Sequence, residues 1–167
     1  PGQGTTVTLG LPFTSALSTP DAPGDEAPIA LPEAKAAGVR RVLLVDDHAM
    51  VRQGLRAILD QYADLFIIGE AADGREAVSI AKKRTPDVII MDINMPRMDG
   101  IEATKRIKKD HPETIIIAVS VNDTPQVRES MQHAGASAFV SKEEAGERLH
   151  ETIMALTSTT THNPQST

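Results

Sequence analysis

Two short apolar runs, Val42-Leu43-Leu44-Val45 and Val88-Ile89-Ile90-Met91, lack the alternation of a half-exposed strand, and each stops at an aspartate. Runs of this kind read as parallel strands covered on both faces by helices. Around them the pattern passes from strand to helix five times. Arg41–Val45 predicts the first strand, and Val51, Leu55, Ile58 and Leu59 then recur at helical spacing. Leu65–Ala71 predicts the second, after which Asp73 and Glu76 open a helix as a capping box. Asp87–Met91 predicts the third, followed by Asp99 and Glu102 in the same arrangement. Thr114–Val119 predicts the fourth, with Thr124 as N-cap and Pro125 at the first helical position. Ala138–Val140 predicts a short fifth. Ser141 and Glu144 then form another capping pair, and Ala145, Leu149, Ile153 and Leu156 share one helix face. This alternation predicts an α/β fold with a doubly wound, parallel five-stranded sheet.

Composition changes the picture outside this body. Six prolines fall within the first 32 residues, among many small side chains and few charges. Residues 14–39 read as a flexible Pro-rich linker and 158–167 as a disordered tail, which leaves 40–157 as the folded domain. The 167-residue chain has a formal net charge of -6, which argues against a nucleic-acid surface. It has no cysteine, so disulfides and thiolate metal sites are excluded. No apolar stretch has the length of a membrane span and the first residues lack a signal-peptide pattern, so the expectation is a cytoplasmic segment without membrane contact. The start at Pro1 suggests an excised piece of a longer chain.

The candidate chemistry lies where the apolar runs stop. In open parallel sheets, ligand chemistry gathers at the carboxyl ends of the strands. Asp46, Asp47 and Asp92 would therefore share one crevice. Crowded carboxylates repel, and a hard divalent cation such as Mg²⁺ relieves the repulsion through oxygen ligands. An aspartate in that setting is a candidate phosphoryl acceptor. His48 follows the acidic pair but is not an expected Mg²⁺ ligand. His111, His133, His150 and His162 are scattered and suggest no zinc site.

With these residues in view, the body resembles a bacterial response-regulator receiver domain. Leu44-Val45-Asp46-Asp47-His48 is similar to the acidic pair that ends the family's first strand. Met91-Asp92-Ile93-Asn94-Met95-Pro96-Arg97-Met98-Asp99-Gly100 is similar to its phosphoacceptor segment. Ser120, Phe139 and Lys142 stand at its hydroxyl, switch-aromatic and lysine positions. Each match alone is common, but all in order at strand ends are specific.

The resemblance implies a flavodoxin-like receiver fold with self-catalysed phosphotransfer and autodephosphorylation. Asp92 would take a phosphoryl group from a histidine kinase or histidine phosphotransfer domain. Asp46, Asp47, Asp92 and the Asn94 backbone carbonyl would hold Mg²⁺. Lys142 and Ser120 would meet the phosphoryl oxygens, and Ser120 with Phe139 would form the switch. Val121 stands where the family usually has a smaller residue, and is expected to narrow access to Asp92.

Residues 1–13 resemble the closing segment of a kinase ATP-binding domain. That resemblance implies the C-terminal receiver of a hybrid sensor histidine kinase whose kinase core is absent here. The competing expectation is a receiver cut from a DNA-binding transcriptional regulator, with no direct nucleic-acid contact by this piece. A flavin protein is disfavoured because it would want a Ser/Thr/Gly-rich phosphate loop where Asp46-Asp47-His48 stands. An aspartate-nucleophile phosphohydrolase would want a second aspartate at the position of Asn94. Oligomeric state is left open.

Overall fold

The computed structural model describes residues 38–160. Five strands and five helices alternate: β1 (Arg40–Val45), α1 (Ala49–Leu59), β2 (Leu65–Ala71), α2 (Gly74–Arg84), β3 (Val88–Asp92), α3 (Gly100–Asp110), β4 (Ile115–Ser120), α4 (Pro125–Ala134), β5 (Ala138–Ser141) and α5 (Ala145–Thr160). All strand pairs are parallel, in the order β2-β1-β3-β4-β5. This is the α/β, doubly wound architecture that the alternation predicted, and the flavodoxin-like receiver fold that the resemblance implied.

The sheet is buried on both faces, and the strands show why their sequences do not alternate in polarity. Val42, Leu44, Val88, Ile90, Ile115 and Ile117 pack in one layer against Leu55 and Leu59 of α1 and Leu149 and Ile153 of α5. Leu43, Val45, Ile89, Met91, Ile116 and Ala118 pack in the other against Ala77 and Ala81 of α2, Ala103 and Ile107 of α3, and Met131 of α4. Successive residues of one strand thus serve opposite layers, and a polar residue at either parity would be buried.

The helix starts follow the capping residues. Asp73 and Asp99 accept from the backbone N–H of Glu76 (2.9 Å) and Glu102 (2.8 Å), and Thr124 accepts from Val127. Each satisfies an amide that the first helical turn leaves free. Three strands end later than the apolar pattern suggests. Asp92, Ser120 and Ser141 belong to β3, β4 and β5, because a polar side chain does not stop its backbone from pairing: Asp92 is in register with Val119, and Ser120 with Ser141. Ser141 Oγ does accept from Glu144 N, at 3.3 Å, but in the turn ahead of α5. At the other end α5 runs through Thr160, so residues 158–160, assigned to the tail by sequence, are helical. The first thirteen residues and the linker up to residue 37, like 161–167, lie outside the described residues.

Two glycines decide how the helices meet the site. A Cβ on Gly100 would stand 2.2 Å from the carbonyl oxygen of Asp92, and one on Gly74 2.5 Å from that of Met98. Side chains are excluded at both positions by backbone. Gly100 N–H also donates to Ile93 O at 2.9 Å, which closes the loop after β3 onto the start of α3.

Candidate functional site

The strand order makes β1 and β3 neighbours, with Val45 paired to Met91. The next residues, Asp46 and Asp92, therefore emerge side by side at the carboxyl edge of the sheet. Asp46 is 1% exposed and is held at every polar atom. Its N–H donates to Ala71 O (3.1 Å), and its carbonyl accepts from an Arg52 guanidinium nitrogen (2.5 Å). Oδ1 accepts from His48 N (2.8 Å), and Oδ2 lies 2.6 Å from Lys142 Nζ. Asp47 is half-buried, with Oδ1 2.8 Å from the His48 ring nitrogen.

Asp92 is different. It is 3% exposed; Oδ1 is 3.3 Å from Lys142 Nζ, and Oδ2 is buried without a hydrogen-bond partner. Burial disfavours its charge, and the adjacent Asp46 carboxylate adds repulsion. Lys142 and the Asn94 amide pull the other way, and the balance raises the Asp92 pKa to about 6. Lys142 comes from the end of β5, where its N–H bonds to Ser120 O at 2.9 Å. Burial works against its charge too, but its hydrogen bond to Asp46 and the charges of Asp92 and Asp46 outweigh that and raise its pKa.

One ligand atom from each of Asp46, Asp47, His48 and Asp92 lies within 4.8 Å of every other. Hard carboxylate oxygens, two of them (Asp47 Oδ1 and Asp92 Oδ2) buried without a hydrogen-bond partner, suit a hard divalent cation, so the residues present fit Mg²⁺. The structure brings together Asp46, Asp47, Asp92 and Lys142. Ser120 is fully buried at the end of β4, and its hydroxyl accepts from Asn122 N at 3.0 Å, which holds it in its own loop. Asn94 is exposed, two residues past Asp92.

Phe139 does not join the carboxylates. It lies half-buried against the α4 side of the core, with the Arg128 guanidinium 4.8 Å above its ring. Val121, expected to narrow access to Asp92, is 67% exposed. Sequence reasoning discounted His48, whose ring in fact lies among the acids, and missed Arg52. The signal for His48 was its adjacency to Asp46-Asp47. Arg52 carried no signal, because a lone arginine on an amphipathic helix reads as solvated.

With this geometry in hand, the comparisons with known proteins are consistent. The response regulator receiver domain model matches residues 42–154. The transcriptional regulatory protein LiaR of Bacillus subtilis (strain 168) is 44% identical over 116 residues, 69% of this chain and 54% of that protein. YdfI, a transcriptional regulatory protein of the same strain, is 39% identical over 117 residues, 70% of this chain and 54% of that one. The chain spans about half the length of these curated relatives. Among solved structures, the response regulator domain of Thermotoga maritima CheB superposes with a TM-score of 0.67 at 36% identity, covering 75% of this chain and 99% of that one. A LuxR-family two-component response regulator from Aurantimonas sp. SI85-9A1 gives 0.68 at 32%, covering 71% and 84%. The chain belongs to the response regulator receiver domain family.

Proposed function

We propose that this domain accepts a phosphoryl group onto Asp92 from the phosphohistidine of a histidine kinase or histidine phosphotransfer domain, in a Mg²⁺-dependent reaction. The observation that carries the proposal is the buried, unpartnered Oδ2 of Asp92 beside the Lys142 ammonium. In the transfer a bond forms between an Asp92 carboxylate oxygen and phosphorus, the P–N bond breaks, and the donor imidazole leaves. A carboxylate attacks an anionic phosphoryl group well only where that charge is neutralised. Lys142 supplies one positive charge, already held between Asp46 and Asp92. Mg²⁺, held by Asp46, Asp47, Asp92 and the Asn94 carbonyl, would supply the rest. The buried Ser120 hydroxyl donates to a phosphoryl oxygen once it turns from its own loop. Catalysis here is positioning and electrostatics. Hydrolysis of the acyl phosphate resets the domain.

The output is a change of packing biased by the new charge. Ser120 and Phe139 act as the switch, and the face around α4, β5 and α5 is the surface that a partner protein reads. We assign this domain no contact of its own with nucleic acid or membrane. Among the described residues no helix is long and apolar enough to cross a membrane. We place it in the cytoplasm, where the donor kinase domain works.

Two parents suit such a receiver. The hybrid histidine kinase rests on residues 2–12, which lie outside the described residues. LiaR and YdfI are both named transcriptional regulatory proteins, which favours a DNA-binding regulator with its DNA contact in a separate domain. Reading the parent gene on both sides of this segment separates them: a kinase core upstream selects the first, a helix-turn-helix downstream the second.

The function is tested by intact-protein mass spectrometry after incubation with Mg²⁺ and acetyl phosphate. The expected result is one added phosphoryl group, absent in Asp92→Asn and in EDTA. No adduct in the wild type, together with no NMR response to beryllofluoride, would remove the phosphoacceptor reading.

A further inference from the structure

We propose that Arg52 is a positioning residue for the metal-binding acids: its guanidinium, braced by Glu70, sets the peptide that joins Asp46 to Asp47. The inference rests on the reading of this crevice as a cation-dependent phosphoacceptor site. Arg52 is on the second turn of α1, yet its side chain is only 17% exposed. Its Nε donates to Glu70 Oε2 at 3.0 Å, and a terminal nitrogen of the same fork donates to the Asp46 carbonyl oxygen at 2.5 Å. Glu70 is held from its other oxygen by Arg56, at 3.0 Å. Burial alone would raise the Glu70 pKa, but the hydrogen bonds and charges of Arg56 and Arg52 lower it on balance, so the brace stays ionised.

The position of that carbonyl gives the contact its consequence. It belongs to the residue after Val45, the last paired position of β1, and follows the Asp46 N–H that makes the last bond to β2, at Ala71 O. A peptide group is planar, so fixing the Asp46 carbonyl also fixes the nitrogen and the Cα of Asp47, the atom from which its side chain leaves the chain. Asp46 has its side chain pinned by His48 N and Lys142. Asp47 is held less firmly: its Oδ1 lies 2.8 Å from the exposed His48 ring but makes no hydrogen bond. Its aim into the crevice therefore depends on the peptide that Arg52 holds. Two donors at a fixed angle are needed, one for Glu70 and one for the carbonyl, and a planar guanidinium provides them where an ammonium does not. Ion pairs elsewhere on the helices, such as Arg106 with Glu102, touch no backbone of the crevice.

The test uses Mn²⁺ as probe metal, with its affinity read by electron paramagnetic resonance well below each variant's melting temperature. Groups that orient metal ligands from outside the coordination sphere change affinity by about 10- to 100-fold. Arg52→Met is expected to weaken Mn²⁺ binding by about that factor, Glu70→Gln by less, and Arg52→Lys to recover only part of the loss. Arg56→Met loosens Glu70 without touching Asp46, and should lower the melting temperature while leaving Mn²⁺ affinity within about twofold of wild type. Half-saturating Mg²⁺ for labelling by acetyl phosphate should rise in parallel with Mn²⁺ dissociation, with the maximal rate unchanged. Should Arg52→Met not fold, Arg52→Lys and Glu70→Gln carry the same comparison. Wild-type affinity in the Arg52 variants, or equal losses in Arg52 and Arg56 variants, overturns the positioning role. A wild type that binds no Mn²⁺ and takes no phosphoryl group removes the functional reading itself, and the positioning role with it.

Discussion

Lys142 is closer to Asp46 than to Asp92: its ammonium stands 2.6 Å from the first carboxylate and 3.3 Å from the second. One buried cation thus faces two buried anions, and the nearer pairing leaves Oδ2 of Asp92 without a partner. The crevice is short of positive charge before any metal binds, and this imbalance has measurable consequences.

Removing the cation should unbalance the fold as well as the chemistry. Breaking a buried ion pair from one side costs about 3–5 kcal/mol, because the partner charge is stranded. Lys142→Met strands two. In EDTA near neutral pH it should lower the urea midpoint strongly, and millimolar Mg²⁺ should restore much of the loss. Acetyl phosphate labelling should fall at least tenfold. A midpoint equal to wild type in EDTA would mean that Lys142 is not the counter-charge of this site.

The raised pKa of Asp92 sets the sign of a pH dependence. In the metal-free folded protein the group titrates at about 6, against 3.8 for an ordinary aspartate. Between those values the folded state holds a proton that the unfolded state lacks. The associated stability is full below the lower pKa and is lost as pH rises through about 6. A shift of about two units corresponds to about 3 kcal/mol at most. Asp92→Asn, which cannot ionise, should therefore be more stable than wild type in EDTA at pH 7.5, by about 1–3 kcal/mol. The gain should shrink as pH falls toward 4. Denaturant melts at several pH values check this, and a pH-independent difference would contradict it.

Gly100 should tolerate no side chain. Its Cβ would stand 2.2 Å from Asp92 O and 2.9 Å from Ile93 Cα, both backbone atoms that cannot rotate away. Gly100→Ala should cost about 1–3 kcal/mol or more, the usual penalty of overpacking. It should also slow labelling, because the displaced segment carries the reacting carboxylate. Unchanged labelling in a destabilised variant would separate the two effects.

A chain of contacts leads from Ser120 to the aromatic. Ser120 accepts from Asn122; the next residue, Asp123, pairs with Arg128, and Arg128 covers the Phe139 ring. Asp123→Ala should release Arg128 and shift or broaden the Phe139 ring resonance in phenylalanine-labelled protein, leaving the urea midpoint unchanged because the pair is solvent-exposed. The same resonance should then respond to beryllofluoride with a different amplitude from wild type. A Phe139 signal identical to wild type in both states would show that this pair does not hold the ring.

The pattern along the chain already determined the alternation of strands and helices, because a strand covered on both faces is apolar at both parities up to its end. Val42–Val45 and Val88–Met91 obey that rule, and the chemistry begins where it stops. Asp46, Asp47, Asp92, Ser120 and Lys142 were legible as strand-end residues, and their order along the chain was specific enough to suggest the family. Local signals also placed the helix starts at Asp73, Asp99 and Thr124, since capping acts over three residues.

Tertiary structure decided what depends on groups far apart in sequence. That β1 lies beside β3, so that Asp46 and Asp92 repel each other, is set by strand pairing. That Lys142 reaches both, and that Arg52 and Glu70 meet over the Asp46 carbonyl, follows from helix and strand placement. The exposure of Val121 and the seat of Phe139 under Arg128 were settled in the same way. Periodicity and capping are local and can be read along one chain, whereas the energy of a buried charge depends on every neighbour that packing brings to it.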